Sequence, residues 1–132
     1  MSEVLLVSSV GTLRFSDLQH HSDSWHQFTA TLHLGNLIAS SVVWTLDYKG
    51  PTLLHFFLSL KSNSIWMDQR VWDATEHQLR LSATMRSNGV IALEVELRDD
   101  PSSNWKVSSN LTLESGAQLD RLIVNLQKFF DS

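Results

Sequence analysis

The sequence predicts an α+β domain: a curved antiparallel sheet of about seven strands, closed as a half-barrel, with a short central helix and a C-terminal amphipathic helix packed on the sheet. Three observations carry this. Residues 25–34 and 79–97 alternate apolar and polar side chains with the period of two that marks a half-buried strand. Residues 116–130 repeat their apolar positions with helical spacing. Between these stretches, Pro51 opens a dense apolar run of the kind that forms a buried helix.

The elements follow in order. Val4–Val10 and Leu13–Phe15 flank Gly11 and read as one bent strand or two short ones. The polar stretch 17–24 reads as a loop. From Trp25 to Leu34, Phe28, Ala30, Leu32 and Leu34 share one face. Gly35-Asn36 makes a turn, and Val42, Trp44 and Leu46 continue the apolar face in the next strand. The missing N–H of Pro51 suits the first turn of a helix over 51–61, which holds Leu53, Phe56, Phe57 and Leu60. His55, inside that helix, reads as a hydrogen-bonded core residue.

A hairpin follows, and its register can be argued. A two-residue Asn88-Gly89 loop would set Met85 against Ala92 and join a core face to a solvent face. A three-residue loop over 87–89 sets Met85 against Ile91, Ala83 against Leu93, Leu81 against Val95 and Arg80 against Glu96. Slipping by one residue inverts every side chain, so the second register is expected. It also puts Gly89 where such loops need a left-handed residue. Beyond a turn over 99–104, Trp105, Val107, Leu111 and Leu113 share a face. Setting Trp105 against Leu97 brings Lys106 beside Glu96, in a charged row with Arg80. Ser115 and Gln118 have capping-box spacing, and Leu119, Leu122, Ile123, Leu126, Phe129 and Phe130 then line one side of the last helix.

All 132 residues read as a single domain, long enough to bury a core without a disulfide or structural metal. Cysteine is absent, which removes thiolate zinc sites and cysteine nucleophiles. The N-terminal apolar run follows Glu3, contains two serines and is short, so it does not read as a signal peptide, and no run approaches a membrane span. A cytoplasmic protein without membrane contact is expected. Ten Lys and Arg stand against fourteen Asp and Glu, and no basic cluster exists to neutralise phosphates, so no nucleic-acid partner is expected.

Catalytic signals are weak. His20, His21 and His26, with Asp17 and Asp23, form the one cluster of potential metal ligands. Their spacing matches no ordered ligand frame, and adjacent histidines reach one ion poorly. No serine sits in a nucleophile elbow and no glycine-rich loop cradles a phosphate. No catalytic residue, metal or cofactor is therefore assigned, and the balance lies against an enzyme. The segment 65–73 stands out instead. Trp66 and Trp72 flank Arg70, with Asp68 and Asp73 beside them, and Trp and Arg are the residue types enriched at interface hot spots. The competing reading is that both indoles fill the end of the core. As a binding surface, Trp66, Asp68, Arg70 and Trp72 would show at least one exposed indole and an Arg70 free of internal ion pairs.

Two blocks carry a resemblance. One runs from Phe56-Phe57 through Trp66, Arg70, Trp72, Glu76, Leu79, Leu81 and Ala83 to Gly89, Leu93, Val95 and Leu97. The other is Leu113–Leu119 with the helix that follows. Together they resemble a family of uncharacterised bacterial proteins related to the WapI-type immunity proteins of contact-dependent toxin systems. The resemblance implies a non-enzymatic protein-binding module that binds and occludes a toxin domain. The alternative is a small-ligand binder or enzyme using a pocket between the sheet and the C-terminal helix. Homo-oligomerisation is compatible with either.

Overall fold

The computed structural model describes residues 2–22, 24–99 and 104–131. Among them, eight strands and two helices run in the order β1 (Glu3–Val7), β2 (Thr12–His20), β3 (Trp25–Leu34), β4 (Leu37–Leu46), α1 (Thr52–Ser59), β5 (Arg70–Asp73), β6 (Leu79–Met85), β7 (Val90–Arg98), β8 (Lys106–Glu114) and α2 (Ala117–Phe130). The class is α+β with antiparallel strands, as the alternation requires. The strands do not form one curved sheet of about seven. They form two four-stranded meanders, β1-β2-β3-β4 and β5-β6-β7-β8. The break falls at α1, which carries the chain out of the first ladder after β4. The two sheets then meet along β4 through isolated bonds. The Thr75 N–H donates to the Trp44 carbonyl at 3.2 Å, and the Leu46 N–H donates to Thr75 Oγ1 at 3.0 Å. The Ser41 hydroxyl donates to the Asp99 carbonyl at 3.1 Å.

One core lies between the sheets. Phe15, Phe28 and Leu32 from the first sheet join Leu81, Leu93, Val95 and Leu111 from the second, all fully buried. Helix α2 packs against β1, β8 and α1. It contributes Leu119, Leu122, Ile123, Leu126, Phe129 and Phe130, each buried as its helical spacing predicts. Burial of such side chains contributes roughly 1.5–3 kcal/mol apiece, which anchors the helix between the two sheets. Helix α1 buries Leu53, Phe56 and Phe57, with Leu60 behind them, but turns His55 to solvent. His55 is thus not a core residue, because the apolar run offers enough other side chains to fill the buried face.

The β6–β7 hairpin has the register that its turn dictates. Met85 opposes Ile91, Leu81 opposes Val95 and Arg80 opposes Glu96. Gly89 takes φ +82°. The next register differs from expectation by two residues: Leu97 opposes Val107, and Lys106 opposes Arg98. The face of β8 is unchanged by a slip of two. The ionic partner of Glu96 is different, however: Arg98, at 2.6 Å, takes the place expected for Lys106. Part of the turn over 99–104 that decides this lies outside the described residues.

Three further corrections are local. The stretch 17–20 belongs to β2, which continues past a bulge between Ser16 and Gln19, where Asp17 adopts φ +55°. Asp tolerates that left-handed conformation better than most residues. On β4 the inward residues are Ala39, Ser41, Val43 and Thr45, whereas Val42 is exposed and Trp44 and Leu46 are partly so. The two-residue turn at Gly35-Asn36 sets Leu34 against Leu37, and that pairing puts Val43 opposite Phe28. Finally, α2 is not capped by Ser115. The Glu114 carboxylate accepts from the Gly116 N–H at 2.7 Å and the Gln118 N–H at 3.4 Å. The Gln118 side chain in turn accepts from the Glu114 N–H at 2.8 Å. The reciprocal logic of the box survives, moved one residue earlier.

Candidate functional site

The chain leaves α1 at Leu60 and crosses to β5, and this crossing contains the tryptophan–arginine segment. Helix α1 ends with carbonyls that lack intrahelical partners. The Trp66 indole N–H donates to one of them, the Leu60 carbonyl, at 3.2 Å. The Arg70 guanidinium donates to another, the Ser59 carbonyl. No basic residue lies in the last turn of α1 itself, so Arg70 supplies from outside the cation that a helix C-terminus favours. The same guanidinium sits over the Trp66 ring, 4.3 Å from its centroid, in cation–π geometry. It also grips Asp68 with two bonds, at 3.2 and 3.4 Å. That contact holds the exposed Asp68 carboxyl below the ordinary aspartate pKa. The folded-state pKa is depressed, so this contribution is present at neutral pH and is lost as pH falls through the folded value.

At the other end of α1, the Trp72 indole N–H donates to Thr52 Oγ1 at 3.1 Å. Both indoles are buried, Trp66 at 6% and Trp72 at 7% exposure. Trp66, Asp68, Arg70 and Trp72 are brought together as expected, but as a clamp that ties the crossing and β5 to the two ends of α1. The expectation of an exposed indole and an uncommitted Arg70 is not met. Residues 70–73 are not free connection either, since they form the edge strand β5 against β6. Substituting Arg70→Ala is therefore expected to lower stability by about 1–2 kcal/mol, visible as an earlier chemical-denaturation midpoint. An unchanged midpoint would show that the clamp is not formed in solution.

What the clamp presents to solvent is the set of residues that alternate with its anchors. Met67 is 92% exposed, and Ile65 and Val71 are exposed beside it. Sequence reasoning passed over these three because the indoles drew attention. The alternation of anchors and intervening residues was the available sign.

A second polar constellation, missed entirely, lies at the N-terminus of α1. The buried Asp47 carboxylate accepts four hydrogen bonds. Oδ1 takes the Thr52 N–H at 3.1 Å and the Thr52 hydroxyl at 2.8 Å. Oδ2 takes Thr45 Oγ1 at 2.7 Å and His26 Nδ1 at 2.6 Å. His26 is itself buried, edge-on to His20 and Phe130. A His–Asp pair invites a catalytic reading, but both hydroxyls bond the carboxylate. The arrangement caps a helix and does not form a nucleophile–base–orienter chain. His21 is turned aside, bonded to Gln27 at 2.8 Å and stacked on Trp44. Among the described residues no three His, Asp or Glu are grouped to hold a metal ion. Asp23 of the expected cluster lies outside them.

The groove expected between sheet and C-terminal helix exists in reduced form. It is an open cleft of about 180 Å³ between β1 and α2, below the range of roughly 300–1,000 Å³ typical of small-molecule sites. No helix is long and apolar enough to cross a membrane.

No curated protein and no solved structure matches the chain. One family does, over residues 6–132, nearly the whole length, and the chain accordingly belongs to the family of unknown function DUF6228.

Proposed function

We propose that this protein is a non-enzymatic binding module that occludes a partner protein, acting in the cytoplasm as an immunity protein does on a toxin domain, and that the clamped crossing between α1 and β5 is its partner-facing element. The observation that carries the reading is Met67, nearly fully exposed while Trp66 before it is buried and Arg70 after it is tied to three groups. An apolar side chain of this size on an ordered crossing gains contact area on docking at the cost of its own rotamers but not of the backbone that carries it. Ile65 and Val71 extend the same apolar surface. The resemblance of the blocks holding Trp66, Arg70 and Trp72 to WapI-type immunity proteins implies the same class of function.

The role assigned to the four residues of the segment changes accordingly. Trp66 and Trp72 anchor, Asp68 and Arg70 brace, and the contact is made by their neighbours. The test takes the domain encoded beside this protein, whose expression alone should arrest growth if it is a toxin. Co-expression should rescue growth, and the purified pair should form a complex. Met67→Asp is expected to weaken that complex by about 2 kcal/mol or more, the loss typical of a central hot spot, with an unchanged unfolding midpoint. An affinity that ignores Met67→Asp, or a toxin that this protein never neutralises, would count against the proposal.

A further inference from the structure

We infer that the cleft between β1 and α2 is a docking groove for an extended segment of another protein, added as a fifth strand to the first sheet with an acidic side chain facing Arg121. Strand β1 is the end of its sheet, with only β2 beside it. Its free side can be identified from one bond. The Gln118 side-chain N–H donates to the Val7 carbonyl at 2.9 Å, so the Val7 backbone points away from β2. Along an antiparallel strand the backbone groups of successive residues alternate sides. Glu3 and Leu5 therefore point outward with Val7, and Val4 and Leu6 pair with β2. The turn agrees, because the Ser8 N–H points back to the Gly11 carbonyl.

This edge is only partly guarded: β1 is short, Glu3 stands on it, and α2 packs beside it with Gln118 on the Val7 carbonyl. It has no proline and no bulge, and Leu5 and Val7 are exposed beside it. Apolar edges left partly open in this way are templates for strand addition. The opposite wall is α2, which presents Gln118, Arg121 and Asn125, with Leu113 and Leu122 also lining the cleft. Gln118 already imitates an incoming strand by taking one edge carbonyl. Arg121 is exposed and has no hydrogen-bond or ion-pair partner among the described residues. It is the one charged group lining the cleft, which selects a carboxylate on the incoming segment. The cleft is narrow for a folded small-molecule pocket and has the strand-and-helix walls that hold an extended chain. The groove shares no residue with the Met67 crossing, so the two surfaces can fail separately.

The probe is a set of labelled eight-residue peptides alternating valine and threonine, with one aspartate moved through the central positions, and the same set with asparagine instead. Fluorescence anisotropy should show the best aspartate peptide binding about tenfold tighter than its asparagine counterpart, a preference that Arg121→Gln removes. Leu5→Pro deletes an outward N–H while sparing the β1–β2 ladder, a position where edge strands accept proline, and should abolish binding. Should that variant unfold, N-methylation of alternate peptide amides makes the same test from the ligand side. Met67→Asp should leave peptide binding unchanged. The inference is overturned if no peptide binds, if aspartate confers no preference, or if backbone blocking has no effect. It is equally overturned if the protein sediments as a dimer that Leu5→Pro dissolves, because the edge then belongs to a second copy of this chain.

Discussion

Asp47→Ala is expected to destabilise the protein by about 3–5 kcal/mol, because it removes a buried carboxylate that accepts four hydrogen bonds and leaves their donors without partners. The carboxylate binds three parts of the chain together: β3 through His26, the end of β4 through Thr45, and the first turn of α1 through Thr52. Trp72 extends the connection to β5 through the same Thr52 hydroxyl. A domain of this size has roughly 5–15 kcal/mol in total, so the loss is a large fraction of it. Asp47→Asn should cost about half as much. It keeps one oxygen for Thr52 but turns an amide toward His26 Nδ1, which must then change tautomer to accept from it. Urea denaturation of both variants measures this. A loss below about 1 kcal/mol for the alanine variant would mean that solvent satisfies these donors and that the network is not closed.

Phe28→Ala is expected to cost about 3–5 kcal/mol through a different mechanism, the lost burial of a ring plus the cavity it leaves. Phe28 is fully buried. Its ring meets Phe15 edge-on at 5.5 Å between centroids, and it also meets Phe129 and Phe130 of α2 at 6.5 and 6.3 Å. Together with His26, which meets Phe130 at 5.5 Å, it is a side chain through which the first sheet holds the end of the last helix. Hydrogen exchange should separate this variant from Asp47→Ala. Phe28→Ala should release the amides around Phe129 and Phe130, whereas Asp47→Ala should release those of α1 first. If α2 exchanges no faster in Phe28→Ala, the ring contacts do not hold the helix. Met67→Asp serves as the control for both, since nothing in the core depends on that side chain.

The β6–β7 hairpin and α2 were readable because their information is local. Three turn residues and two alternating runs suffice to set Met85 against Ile91, since a slip of one would turn the charged face inward and the three-residue turn fixes the rest. Six apolar side chains at helical spacing likewise define the buried side of α2 without knowledge of what covers it. The β3–β4 hairpin was equally local, and there the expected face of β4 was wrong. Val42, Trp44 and Leu46 are more apolar than Ala39, Ser41, Val43 and Thr45, and composition alone prefers them inside. Turn geometry overrides composition, because Gly35-Asn36 permits one pairing, and that pairing faces the smaller set inward against Phe28.

The candidate site depended on contacts between distant parts of the chain. Composition identified Trp66, Arg70 and Trp72 as unusual, but whether an indole meets a partner or a helix end depends on where α1 stops, and only the packed structure brings the Ser59 and Leu60 carbonyls to them. His26 and Asp47 stand 21 residues apart and join only once β3 and β4 are paired. The division into two sheets belongs to the same category. Local pattern specifies that a segment is a strand and which neighbour its turn gives it. Which ladder it joins after an intervening helix is decided by how α1 and α2 fill the space between the sheets. By itself the sequence determined the class, the β6–β7 register and the buried face of α2, where short-range sterics and periodicity leave one solution. The tertiary structure decided the sheet count, the inner face of β4 and the fate of the tryptophan segment, because those depend on contacts whose partners lie far along the chain.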